Sequence, residues 1–231
     1  MDATSLPPFV ALIQKGSFVK IGFSHHKSVY ADSERFLTDN RMTKQQQRHE
    51  ALAKRDRLAT DFRRQAAQKL ANEANALLAI DEASIVAGFW PIGSEIDPRA
   101  LLLVLQEQGK TICLPAIIDS KARQMQFRQF SCEDELIPMG YGTMGPPASA
   151  PVVDPDLILL PLAAFDAIGN RIGYGGGFYD RIIADMRSRQ KQPFLVGLAF
   201  GCQEVNSIAA EDHDIPLQAL LTEKGLRLFK Q

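Results

Sequence analysis

Apolar and polar positions change period several times along this chain, and each change marks an element. Leu58, Phe62, Ala66 and Leu70 recur every fourth residue, which puts them on one face of a helix. Thr43 and Gln46 have the spacing of a capping box, so the helical region starts there, with a break near Thr60 that splits it in two. Residues 85–90 are a short apolar run closed by Pro91, as in a buried strand. Asp97 and Pro98 open a helix over 100–108 that Gly109 ends. Residues 111–114 predict a further strand, and Met125, Phe127 and Gln129 alternate with polar neighbours as a half-exposed strand does. Residues 133–155, rich in Gly and Pro, predict a long surface loop. Beyond it, 157–160 predict a buried strand, 177–188 a helix and 194–200 another strand.

Strands alternating with helices in this way predict an α/β fold: a single-domain three-layer sandwich over residues 42–231, with a mainly parallel sheet flanked by helices. Ligands of such sheets bind beyond the carboxyl ends of the strands, which directs attention to the loop after Leu160. Residues 1–41 lack periodicity and contain Pro7, Pro8, Gly16 and Gly22, so a poorly ordered N-terminal extension is expected there. A core beginning at Met42 would lose no residue given a role below.

Composition narrows the class. With 231 residues, 45% hydrophobic and 23% charged, the chain is neither disordered nor collagen-like. No apolar run reaches the roughly 18–20 residues of a membrane span. The opening stretch has neither the apolar core of a signal peptide nor the acid-poor character of a transit peptide. Cys113, Cys132 and Cys202 are odd in number and widely spaced, which argues against a disulfide scaffold and for buried thiols in a reducing compartment. A cytoplasmic location is therefore expected. The net charge of -1 hides an asymmetry: residues 41–69 carry nine basic and three acidic side chains, or +6, leaving about -7 elsewhere.

The loop after Leu160 carries the candidate chemistry. Four of the five residues from Gly173 to Gly177 are glycine, between a strand and a helix. Glycines let backbone N–H groups approach an anion closely, and the helix terminus adds partial positive charge. Arg171 can add a fork of donors to phosphate oxygens. A phosphate cradle is the functional reading; a glycine hinge or a ligand-free tight turn fits the same residues. Neither the Walker spacing nor Gly-x-Gly-x-x-Gly is present, which disfavours those two sites.

The run Phe165-Asp166, Gly169, Arg171, Gly173-Tyr174-Gly175-Gly176-Gly177-Phe178-Tyr179-Asp180-Arg181 resembles the signature of the 5-formyltetrahydrofolate cyclo-ligase (5,10-methenyltetrahydrofolate synthetase) family. The likeness extends from Met42 to about Thr222, through Lys44, Arg48, Trp90-Pro91, Glu95, Met125, Phe127, Gln203 and His213-Asp214. The resemblance implies a three-layer α/β enzyme that uses ATP and Mg2+ to convert 5-formyltetrahydrofolate to 5,10-methenyltetrahydrofolate, ADP and phosphate. It implies ATP contacts from Lys44, Arg48 and Arg171, Ile172, Gly173, Tyr174, Gly175, Gly176, Gly177, Phe178 and Tyr179, with Arg171 and Lys44 catalytic. Folate contacts are implied for Arg48, Trp90, Glu95, Tyr174 and Phe178, and Mg2+ contacts for Asp180 and Asp214.

Each assignment has a plainer counterpart. Lys44 and Arg48, four apart on one helix face, also suit a solvated basic surface. Asp180 suits a helix first turn, Asp214 a turn before Pro216, Trp90 a core and Glu95 a helix approach. His213 is expected to be a structural neighbour and not an acid or base. Some relatives carry basic residues where this chain has Tyr174 and Gly176, and many carry an acid where it has Gly145. A monomer or weak dimer is expected, with a small-molecule folate as partner and neither nucleic acid nor membrane. The competing classes are a non-catalytic folate or nucleotide binder of the same fold and a nucleic-acid-binding module using the basic helices.

Overall fold

The computed structural model describes residues 42–78, 83–211 and 214–230; the expected extension over 1–41 and His213 lie outside the described residues. In chain order the elements are α1 (Lys44–Asp56), α2 (Thr60–Asn72), α3 (Ala74–Leu78), β1 (Ile85–Ala87), α4 (Arg99–Glu107), β2 (Thr111–Asp119) and β3 (Gln124–Gln129). They continue with β4 (Ile137–Gly140), β5 (Thr143–Gly145), β6 (Leu157–Pro161), β7 (Ala164–Phe165), β8 (Arg171–Ile172), α5 (Phe178–Ser188), β9 (Phe194–Leu198), β10 (Ala219–Thr222) and β11 (Gly225–Leu228).

Local chemistry sets the helix starts. Thr43 Oγ1 accepts the Gln46 N–H at 3.2 Å while Gln46 Oε1 accepts the Thr43 N–H at 2.9 Å, the reciprocal cap expected from the sequence. Asp97 accepts the Arg99 N–H at 3.0 Å where α4 begins. At α5, Gly177 occupies the cap position with φ of +67°, a left-handed conformation that glycine tolerates best.

Seven strands form the main sheet in the order β11-β10-β9-β6-β1-β2-β3. The inner pairings are parallel, and β3 and β11 close the two edges antiparallel. Side chains alternate across it. On β6, Leu157 and Leu159 join the cluster that α2, α3 and α4 cover, whereas Ile158 and Leu160 join the one that Ile183 and Met186 of α5 cover. These are the three layers of the expected fold, and the residues from Met42 onward make up one compact unit.

Two regions depart from the sequence expectation. Residues 133–155 are not all loop: β4 and β5 pair as a hairpin inside them. Gly145 ends that hairpin where an added Cβ would lie 2.6 Å from the Pro115 carbonyl oxygen, so a larger residue there would displace the hairpin from β2. Of the cysteines expected to be buried, Cys113 is buried, while Cys132 and Cys202 are half-buried; all are free thiols, and burial pushes each above its ordinary pKa.

The strand order reverses between β1 and β6, whose outer neighbours β2 and β9 lie on opposite sides of the pair. A crevice opens at the carboxyl ends of strands at such a switch point. The segments leaving β1 and β6 there carry Glu95 and the glycine loop.

Candidate active site

Helix α1 crosses this crevice and turns three members of the basic run, Lys44, Arg48 and Arg55, toward it. Arg55 is only 7% exposed. It donates through Nε to Ser94 Oγ at 2.9 Å and through Nη1 to the Tyr174 hydroxyl at 2.5 Å. Ser94 donates in turn to Asp56. Tyr174 is partly exposed but sends its hydroxyl into this cluster, where it donates to the Leu162 carbonyl at 3.3 Å near the Glu95 carboxylate, and burial raises its pKa. The glycine loop is thus tied to the turn carrying Glu95 through Arg55, which bonds both Tyr174 and Ser94.

Burial holds the Glu95 carboxyl above the ordinary carboxylate range, partly offset by the Ile92 N–H, the Tyr174 hydroxyl and the Arg55 charge. Its folded-state pKa exceeds the unfolded one, so its contribution to stability is fully present below the unfolded pKa and is lost as pH rises through the folded value. Glu95→Gln should remove that dependence. Urea unfolding between about pH 4 and 8 should show the variant gaining on wild type as pH rises; a stability gap that stays constant across the series would contradict this assignment.

Further along the loop, Gly175 and Gly177 have φ of +90° and +67°. Among the described residues, no protein acceptor takes the backbone N–H of Gly173, Tyr174, Gly175, Gly176, Gly177, Phe178 or Tyr179. Arg48 lies against this stretch: Nε donates to the Gly173 carbonyl at 2.8 Å, and its terminal nitrogens lie 3.9 Å from where a Gly175 Cβ would stand. A row of unclaimed amides beside a guanidinium has the donor set that an anion requires.

Two cation–carboxylate pairs accompany the loop. Lys44 Nζ contacts Asp214 Oδ2 at 2.6 Å and Glu211 Oε1 at 3.0 Å. Burial alone would lower the Lys44 pKa, but these two carboxylates outweigh it and hold the ammonium above its usual value. Arg171, with a side chain 7% exposed, contacts Asp180 at 2.5 Å and donates to the Ile215 carbonyl. It therefore ties the first turn of α5 to the segment carrying Asp214. Asp180 and Asp214 offer the oxygen ligands that Mg2+ prefers, and with phosphate oxygens and water such a pair suffices. Among the described residues no cluster of three or more metal-ligating side chains exists.

The remaining predicted residues take different positions. Phe178 stands at the start of α5, its ring 5.7 Å from that of Tyr141 at the β4–β5 turn. Tyr179 packs against the α5-side core. Ile172 is 2% exposed in a small cluster with Ala51 and Ile208, so its side chain serves packing. Trp90 stands outside the crevice: its ring meets Phe130 edge-on at 6.2 Å, lies beneath the Arg99 guanidinium and lines an outer hollow of about 270 Å3.

Other signature residues build the frame. Asp166, 2% exposed, accepts the N–H groups of Ile168, Asn170 and Ile208 and the Asn170 amide, which folds the β7–β8 turn. Gln203 donates to the carbonyls of Leu162 and Ala163 at the mouth of β6. The sequence reading missed Arg55, Ser94 and Tyr141. Arg55 is hidden within a charge run, and only the crossing of α1 over the crevice distinguishes it from its neighbours.

The family model described as the 5-formyltetrahydrofolate cyclo-ligase family matches residues 40–223. The Haemophilus influenzae 5-formyltetrahydrofolate cyclo-ligase is 31% identical over 186 residues, 79% of this chain and 98% of that protein. The Escherichia coli K12 protein of the same name is 35% identical over 144 residues, 61% of this chain and 78% of that protein. Among solved structures, the Aquifex aeolicus 5,10-methenyltetrahydrofolate synthetase superposes with a TM-score of 0.67 at 27% identity, covering 82% of this chain and 94% of that one.

Proposed function

The chain belongs to the 5-formyltetrahydrofolate cyclo-ligase family, a family of enzymes, and on that footing we propose that it converts 5-formyltetrahydrofolate to 5,10-methenyltetrahydrofolate at the β1/β6 crevice at the expense of ATP. The observation that carries this reading is the stretch of unclaimed amides over residues 173–179 beside Arg48, with the buried Glu95 carboxylate in the same crevice. One part suits a triphosphate; the other suits the N–H donors of a pterin ring.

In this reading the formyl oxygen attacks the terminal phosphorus and the bond to ADP breaks. Nitrogen 10 of the folate then attacks the formyl carbon and gives up its proton to solvent, and phosphate leaves with the electrons of the carbon–oxygen bond. Phosphoryl transfer depends mainly on alignment and on neutralising charge spread over oxygens. The amides of residues 173–179 and Arg48 hold the phosphate chain in place. Glu95 receives ring N–H groups, and Phe178 supplies an apolar wall. Arg171 fixes Asp180 relative to the Asp214 segment, and Lys44 orients Asp214 through their ion pair. Asp180 and Asp214 would hold Mg2+, which when bound neutralises charge on the phosphate oxygens. Among the described residues no helix is long and apolar enough to cross a membrane; we place the activity in the cytoplasm.

The test is appearance of the methenyl chromophore when the purified protein is mixed with 5-formyltetrahydrofolate, ATP and Mg2+, measured by absorbance. The reading predicts product that requires both ATP and the divalent ion. No product from folded protein would overturn it.

A further inference from the structure

The turn between β2 and β3 brings a second guanidinium to the glycine loop. Asp119 Oδ1 accepts the N–H groups of Lys121 and Ala122 at 2.8 and 2.9 Å, which fixes the turn, and Arg181 of α5 donates to the Ala122 carbonyl at 3.0 Å. The turn is therefore pinned to the helix that follows the loop. Arg123, next in the chain, places Nη1 3.8 Å from where a Cβ on Gly177 would stand.

Charge balance sets this corner apart. Among the described residues, neither Arg123 nor Arg181 has a carboxylate within salt-bridge distance. Arg171 and Lys44, by contrast, are each engaged by acidic side chains. The Gly177, Phe178 and Tyr179 amides lie at the same place, also without protein acceptors among the described residues. A guanidinium without a carboxylate partner beside unclaimed amide donors leaves positive charge unbalanced, and a bound triphosphate supplies several negative charges at once.

We propose that Arg123 is a nucleotide-binding residue, which grips a phosphate of ATP at the Gly177 end of the loop while Arg48 serves the Gly175 end. The proposal rests on the ATP-dependent reading above and deepens it. The two arginines come from elements distant in the chain, the β2–β3 turn and α1, so a bound nucleotide adds a further contact between them across the glycine loop.

The test compares wild type with Arg123→Asn and Arg123→Lys by calorimetric titration with ATP·Mg2+ and, separately, with 5-formyltetrahydrofolate. Arg123 has φ of +55°, and asparagine tolerates that backbone, so Arg123→Asn removes the cation without straining the turn. Arg123→Asn is expected to raise the Kd for ATP about tenfold and leave the folate Kd unchanged. The KM for ATP should rise more than kcat falls, and Arg123→Lys should recover part of the loss. An ATP Kd within twofold of wild type for Arg123→Asn would overturn the proposal, as would equal weakening for ATP and folate. Failure of the wild-type protein to bind ATP would instead overturn the underlying reading.

Discussion

Arg171→Ala is expected to lower kcat/KM for methenyl formation by about a hundredfold, the scale of losing a group that organises charge at a transfer site. The guanidinium touches both Asp180 and the carbonyl of Ile215. Alanine would leave Asp180 without its cation and release the segment carrying Asp214. Breaking a buried pair destabilises a protein by about 3–5 kcal/mol. Here about 2 kcal/mol is expected, because the Asp180 side chain is 35% exposed and partly screened by solvent. Rates must therefore be taken on protein shown to be folded. Arg171→Lys keeps the charge but cannot reach in both directions from a planar fork, so it should retain the fold better than the activity. Near-wild-type turnover by folded Arg171→Ala would remove Arg171 from the site.

Arg48→Ala should be the second most damaging change, raising the Kd for ATP by about thirtyfold. Its Nε holds the Gly173 carbonyl while its terminal nitrogens lie along Gly175. The side chain is thus both a support for the loop and a donor beside it. Lysine should not substitute, because one ammonium cannot bond the carbonyl and a phosphate with the same planar geometry. Calorimetric titration with ATP·Mg2+ would measure this, and Arg48→Lys binding ATP as tightly as wild type would contradict the dual role.

These two arginines illustrate what the chain reveals before it folds. The cap at Thr43, the apolar run of β6 and the start of α5 at the glycines were legible because each depends on neighbours within a few residues. The placing of the glycine loop between a strand and a helix was legible for the same reason. The pairing of Arg171 with Asp180 was not, since both residues belong to one motif and spacing does not say whether they face a ligand or each other. Arg55 was harder still: its burial depends on α1 lying over Ser94 and Tyr174, contacts of 39 and 119 residues' separation. The β4–β5 hairpin escaped notice because Gly140 and Gly142, left-handed on either side of Tyr141 in its turn, are also what marks an irregular loop. Trp90 looked suited to stack on a folate, yet the sequence at a strand end does not determine toward which side an indole turns.

The most direct test of the account concerns the backbone of the loop itself. Amide resonances of isotopically labelled protein can be followed by nuclear magnetic resonance as ATP·Mg2+ is added. The account predicts that the N–H groups of Gly173 through Tyr179 shift with nucleotide and become slower to exchange with water, as new hydrogen bonds to phosphate form. Saturating ATP binding that leaves those resonances and their exchange rates unchanged would contradict it.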